Sequence, residues 1–311
     1  MIIHIDKQRK LPKRKPKVGL ALSGGGIRGT AHIGVLKALT ENNIPIDMIS
    51  GTSAGSIVAS LYASGYSAYQ MKSYLETINF QNLIDLKVNT GDLFKQGVKW
   101  VLSGKLQIWS SLPTGIIKGD KIENFLMNML QNRTVRNTKI PLAITAVDIN
   151  SADTIFFTSP ISHNRSILNA RFYHNAYLYE AVRASISIPG VFFPKKYRNM
   201  TLVDGAVKNN VPTDILKYMG ADIIIAVDLG YSGQHNYEIE TVGDILMQCI
   251  DIMGREVTLM KSEQYADVII RPGPLNITYK DIKQVGDCIK KGESAALEKV
   301  FEIKEIIKSK C

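Results

Sequence analysis

The sequence predicts an α/β fold: a three-layer sandwich, with a mainly parallel central sheet between two layers of helices. Three observations predict it. Short apolar runs alternate along the chain with longer stretches of helical spacing, the pattern of βαβ units. Turns rich in glycine and small residues follow the first two runs directly. The chain has 311 residues, 45% apolar and 21% charged, enough to bury a large core and far from a disordered composition.

Val18–Leu22 (VGLAL) reads as a buried strand. From Thr30 to Asn42 the spacing turns helical, with Ile33, Leu36, Ala38 and Leu39 on the apolar side. Asp47–Ser50 is a short second strand, and Ser56–Ser64 an apolar helix after it. Residues 66–135 are richer in Lys, Gln and Asn and lack a strong strand, so they read as an insertion or lid over a rigid sheet. Pro141–Asn150 and Thr154–Thr158 form a hairpin across Asn150–Asp153, and Thr201–Val207, Ile223–Leu229 and Ala266–Ile270 are further strands. The stretch from Tyr279 to Lys308, rich in Lys and Glu with helical periodicity, closes the chain as one or two helices over 276–311. The organisation expected is a basic segment, 1–16, followed by one domain, 17–311.

The net charge of +10 is uneven: Met1–Lys17 carries +6 and the rest only +4. Such an arm suits peripheral contact with an anionic membrane, or it is a solvated leader; no nucleic-acid partner is expected. Met1–Ile3 is too short an apolar run for a secretory signal, and no window is long enough to span a bilayer. Cys249, Cys288 and Cys311 are scattered without metal-ligand or disulfide spacing. The expected location is cytoplasmic, peripheral at the inner face of the membrane. Asp92–Ser103 adds a second candidate surface, with Leu93, Phe94, Val98, Val101 and Leu102 on one helical side and Trp100 at its border. Together with Trp109 it reads as an interfacial docking element, or as an ordinary surface helix.

Two motifs carry chemistry. Gly51-Thr52-Ser53-Ala54-Gly55 is a G-x-S-x-G between a strand and a helix, a setting that presents a serine hydroxyl beside unpaired helix N–H groups. Ser23-Gly24-Gly25-Gly26-Ile27-Arg28-Gly29 follows the first strand, and its glycines let several N–H groups converge on one oxygen. The same loop fits the dinucleotide fingerprint G-x-G-x-x-G, so an oxidoreductase is the rival reading. That rival needs an acidic residue at the end of the second strand; Asp47 stands at its beginning instead.

A serine nucleophile needs a base. None of His4, His32, His163, His174 and His235 follows a strand as a triad histidine commonly does. Asp148, Asp204 and Asp228 each close a strand-like run, and the physics of the residues does not choose among them.

The loop GGGIRG, the elbow GTSAG, the segment Ala184–Pro189 (ASISIP) and the triplet Asp204-Gly205-Ala206 resemble, in order, the four signatures of patatin-like phospholipases. Bacterial relatives of neuropathy target esterase are included in that resemblance, which runs from about Lys17 to Asn210. It implies hydrolysis of carboxylic esters of phospholipids or lysophospholipids by a Ser-Asp dyad through an acyl-enzyme, without cofactor or metal. Ser53 is then the nucleophile, Asp204 the general base, and Gly24, Gly25, Gly26 and Ala54 the oxyanion hole. Arg28 would contact a phosphate or fold back on local carbonyls. A non-catalytic lipid-surface binding protein is the remaining alternative.

Overall fold

A computed structural model describes residues 14–86, 114–160, 167–230, 242–273, 275 and 284–311. The basic segment up to Lys13, the stretch Asp92–Ser103, Trp109, and His163 and His235 lie outside the described residues. Among the described residues, nine strands make one sheet whose main path runs β5-β4-β3-β2-β1-β8-β9. Those strands are β1 (Val18–Leu22), β2 (Met48–Thr52), β3 (Leu142–Asp148), β4 (Thr154–Thr158), β5 (Ala170–Tyr173), β8 (Ile223–Val227) and β9 (Val268–Ile270). Two more, β6 (Lys195–Tyr197) and β7 (Met200–Asp204), form a hairpin that joins through β7 to β3.

The central strands β3-β2-β1-β8-β9 are parallel to one another, and every residue of β1, β2, β3 and β8 is buried. Burial on both faces explains why these strands read as unbroken apolar runs rather than alternating ones. The helices are α1 (Ala31–Glu41), α2 (Ala54–Ala63), α3 (Ala68–Thr77), α4 (Asp120–Leu130), α5 (Leu178–Ser185), α6 (Thr213–Tyr218), α7 (Val242–Tyr265) and α8 (Val285–Lys310). One face of the sheet packs with α1, α2, α5 and α8 around Leu20, Leu36, Ile49, Ile144 and Ile289. The other packs with α6 around Ala21, Ile215, Leu216 and Ile224. The helix after β1 and the helix preceding β8 thus cover opposite faces, and the carboxyl ends of such neighbouring strands are where open sheets bind their ligands.

Several boundaries differ from the sequence expectations. The strand expected over Thr201–Val207 stops at Asp204, because Gly205–Val207 coils into a helical turn capped by the Asp204 side chain. The helix expected from Ser56 starts at Ala54, directly after the serine. The closing helix is one element of 26 residues. At the amino end of β1, Arg14 pairs with Asp222 through two hydrogen bonds of 2.7 and 2.8 Å. No helix among the described residues is long and apolar enough to cross a membrane.

Candidate active site

The edge of β3 explains how two distant segments meet. β2 runs along the first half of that edge, ending with Thr52 opposite Thr145. β7 runs along the second half in the other direction, ending with Asp204 opposite Ala146. The two strands therefore converge end to end over adjacent residues of β3, and Ser53 and Asp204 come together at the seam. Space there is tight. A Cβ on Gly205 would lie 2.4 Å from the Thr145 carbonyl oxygen, which is why glycine follows the aspartate.

Ser53 sits at φ 52° and ψ −126°, a conformation that costs a non-glycine residue about 1–3 kcal/mol. The surroundings hold it there. Its N–H donates to Ser185 Oγ (2.9 Å), and its carbonyl accepts from Ser56 N (2.8 Å) and Ser56 Oγ (2.6 Å). The flanking glycines are dictated by contact: a Cβ on Gly51 would lie 2.4 Å from Gly55 O, and one on Gly55 2.4 Å from Leu22 O. The turn folds the start of α2 back over two strand ends, and only bare backbone fits.

Asp204 is 2% exposed. Burial pushes its carboxyl up to about 7, against hydrogen bonds from the Ser53 hydroxyl and the Ala206 N–H, which pull it down. The Ala206 N–H reaches Asp204 Oδ1 at 2.8 Å. The other two strand-end aspartates are engaged elsewhere. Asp148 accepts from Thr201 N, Asn150 N and Ser151 Oγ in a turn, and Asp228 accepts from Gly230 N and pairs with Arg271 at 3.2 Å. Of the described histidines, His32 bonds to Ser23 O (2.8 Å) and His174 to Thr158 O (2.9 Å). Neither imidazole is hydrogen-bonded to the serine or the aspartate. Among the described residues no three His, Cys, Asp or Glu side chains gather as metal ligands would.

The glycine loop lies against the serine: a Cβ on Gly24 would come 3.1 Å from Ser53 Cβ. Gly24 departs from its expected part as a donor, because its N–H is turned to Asn210 Oδ1 at 2.9 Å. Its contribution is close approach. The N–H groups of Gly25, Gly26 and Ala54 donate to no acceptor among the described residues and stand at the starts of two helical turns. Such groups can receive a developing oxyanion. Arg28 folds back so that its Nε lies 3.4 Å from Gly25 O.

Three further residues support the site without being singled out in the sequence. Ser185 Oγ, besides accepting from Ser53, donates to Thr145 O at 2.6 Å, and Ser187 O accepts from Asp204 N at 2.9 Å. The ASISIP segment thus straps nucleophile and carboxylate to one frame. Arg183, 3% exposed, donates to Gly119 O (3.1 Å), Ser187 Oγ (2.7 Å), Phe193 O (2.9 Å) and Lys118 O. It ties residues 118–119 to that strap. Only the position of Ser185 and Ser187 in a quoted motif could have flagged them.

The rival dinucleotide reading lacks its acidic partner. Asp47 accepts from Val18 N at 2.7 Å, at the amino ends of β1 and β2 and so a strand's length from the glycine loop.

A family model described as patatin-like phospholipase matches residues 20–217. Patatin-like phospholipase domain-containing protein 6 of Mus musculus is 29% identical over 231 residues, 74% of this chain and 14% of that protein. Lysophospholipase NTE1 of Yarrowia lipolytica is 29% identical over 225 residues, 68% of this chain and 13% of that protein. The matched region is thus a small part of each of these relatives. The crystal structure of VipD from Legionella pneumophila has a TM-score of 0.48 at 14% identity, covering 96% of this chain and 72% of that one.

Proposed function

The chain belongs to the patatin-like phospholipase family, and from that premise we propose that it hydrolyses carboxylic esters of phospholipids or lysophospholipids through Ser53 and Asp204. One observation carries the reading: Ser53 and Asp204 meet where β2 and β7 end over adjacent residues of β3, and burial raises the Asp204 carboxyl to about 7 with the Ser53 side chain beside it. A carboxylate at its ordinary value is a poor base for a serine; one near 7 is matched to the task.

Asp204 accepts the Ser53 proton as Oγ attacks the ester carbonyl. The resulting oxyanion leans on the N–H groups of Gly25, Gly26 and Ala54. The leaving alcohol takes the proton from Asp204, and an acyl group remains on Ser53. Water, deprotonated by the same carboxylate, then releases the fatty acid. The names of the two curated relatives support a lipid substrate, and the lysophospholipase supports a single-chain one.

The experiment is covalent trapping. An alkyl fluorophosphonate, which mimics the ester carbonyl at phosphorus, is expected to label the protein once, on the peptide containing Ser53, and to stop p-nitrophenyl ester hydrolysis in proportion. A label on another residue, or neither label nor hydrolysis, overturns the assignment. Peripheral contact with an anionic bilayer belongs to the same reading, supported by the net charge of +10. Sedimentation is expected to show binding to anionic but not to neutral vesicles.

A further inference from the structure

The Ser23–Gly24 peptide is the last one before the open N–H groups of Gly25 and Gly26, and it is held at both ends. Its carbonyl accepts from His32 Nε2 at 2.8 Å. Its N–H donates to Asn210 Oδ1 at 2.9 Å and approaches Asn210 O at 3.3 Å. The rest of Ser23 is equally engaged: its N–H continues the sheet ladder to Val227 O, and its hydroxyl accepts from Leu229 N.

His32 has no part in the acyl transfer described above, yet it is fully buried. A carbonyl oxygen can only accept, so the ring proton belongs on Nε2 and Nδ1 keeps a lone pair. That Nδ1 is buried without a hydrogen-bond partner. Burial also drives the imidazole down to about 4, so the ring is neutral at working pH. A leucine here would avoid the cost of an orphaned polar atom. What the histidine supplies and leucine cannot is the single bond to Ser23 O.

That bond matters because glycine peptides flip readily, and a flip would aim a carbonyl where a donor is needed. We propose that His32 and Asn210 are positioning residues that clamp the two ends of the Ser23–Gly24 peptide, keeping the Gly25 and Gly26 N–H groups turned to the oxyanion. The proposal rests on the acyl-transfer reading of Ser53. It gives an imidazole outside the Ser-Asp pair a part in the rate without proton transfer.

The test is steady-state p-nitrophenyl ester hydrolysis by His32→Leu, His32→Gln and Asn210→Ala, with thermal midpoints measured alongside. His32→Leu is expected to lower kcat about 10- to 100-fold, less than the roughly 10²–10³ lost with a whole oxyanion donor, and to leave KM within about twofold. Glutamine, which can donate from its own Nε2, restores most of the loss. Asn210→Ala keeps the main-chain acceptor and falls about 3- to 10-fold. Fluorophosphonate labelling of Ser53 slows in the same proportion, because phosphorus builds its negative oxygen in the same place.

Folded His32→Leu and Asn210→Ala proteins with wild-type kcat overturn the clamp while leaving the acyl-transfer reading intact. A loss that glutamine does not restore overturns the donor role of His32. Should His32→Leu fail to fold, Asn210→Ala decides, since that side chain is only half-buried. A wild-type protein that neither hydrolyses esters nor takes the label sinks both readings.

Discussion

Asp204→Asn is expected to lower ester hydrolysis by about 10³–10⁴-fold and, at neutral pH, to make the protein more stable. The loss follows from the amide, which cannot accept the Ser53 proton; Ser53→Ala, lacking the nucleophile, falls to the same background. The gain follows from linkage. Burial raises the Asp204 carboxyl from 3.8 to about 7 in the folded protein. Between those values the unfolded chain ionises while the folded one does not, so stability is lost as pH rises from about 4 to 7. The full difference corresponds to at most about 4 kcal/mol above pH 7, and it is absent at and below pH 4. Asparagine removes that penalty and can keep the bond from Ala206 N through its own Oδ1. Urea denaturation of both proteins at several pH values checks this. The curves should coincide near pH 4 and separate towards pH 7. The rate of the wild type should fall about tenfold for each pH unit below 7, as its base becomes protonated. Equal stability at pH 7.5, or an active asparagine variant, counts against a buried ionising base at this position.

The central sheet was legible because its strands are buried on both faces: VGLAL, PLAITAVDIN and IIIAVDL are apolar runs of strand length. The three-layer arrangement followed from their alternation with helices. The short strands Ala170–Tyr173 and Lys195–Tyr197 were not legible, since they mix charged and aromatic residues with no periodicity and depend on pairing with β4 and β7. The helix Val242–Tyr265 was missed as well; it carries Gly254 at mid-length, where a Cβ would meet Ala206 O at 3.4 Å. At the site, the serine elbow was readable from its small flanking residues. The choice of Asp204 over Asp148 and Asp228 was not readable from the residues, and came only with the family resemblance. The reason is geometric. The choice depends on two strands meeting end to end over Thr145 and Ala146, and no local pattern encodes that pairing. Asn210 escaped for a similar reason, because its partner is a main-chain N–H nearly two hundred residues earlier.

The same long-range blindness hides the contact on which the largest loss of stability is expected. α1 and α8 cross with backbones almost touching. A Cβ on Gly34 would lie 1.9 Å from Ile289 O, and one on Gly292 2.0 Å from Ala31 O. Small residues line the rest of the crossing at Ala38 and Ala296, both fully buried, and Lys37 closes its rim on Glu293 at 2.6 Å. Glycine inside a helix costs about 1 kcal/mol relative to alanine, so helix propensity alone favours Gly292→Ala. The close approach reverses that sign. Gly292→Ala must drive α8 off α1 and is expected to destabilise by about 1–3 kcal/mol, with Gly292→Val losing more. Gly286 supplies the control: it is exposed on the same helix, and a Cβ there meets nothing within 4 Å. Gly286→Ala is expected to stabilise by up to about 1 kcal/mol. Opposite shifts of the thermal midpoint in the two alanine variants identify the crossing as the cause. Because α1 carries His32 beneath the glycine loop, Gly292→Ala should also lower kcat while leaving fluorophosphonate labelling confined to Ser53. Two alanine variants that both gain stability would mean the helices do not meet at glycine.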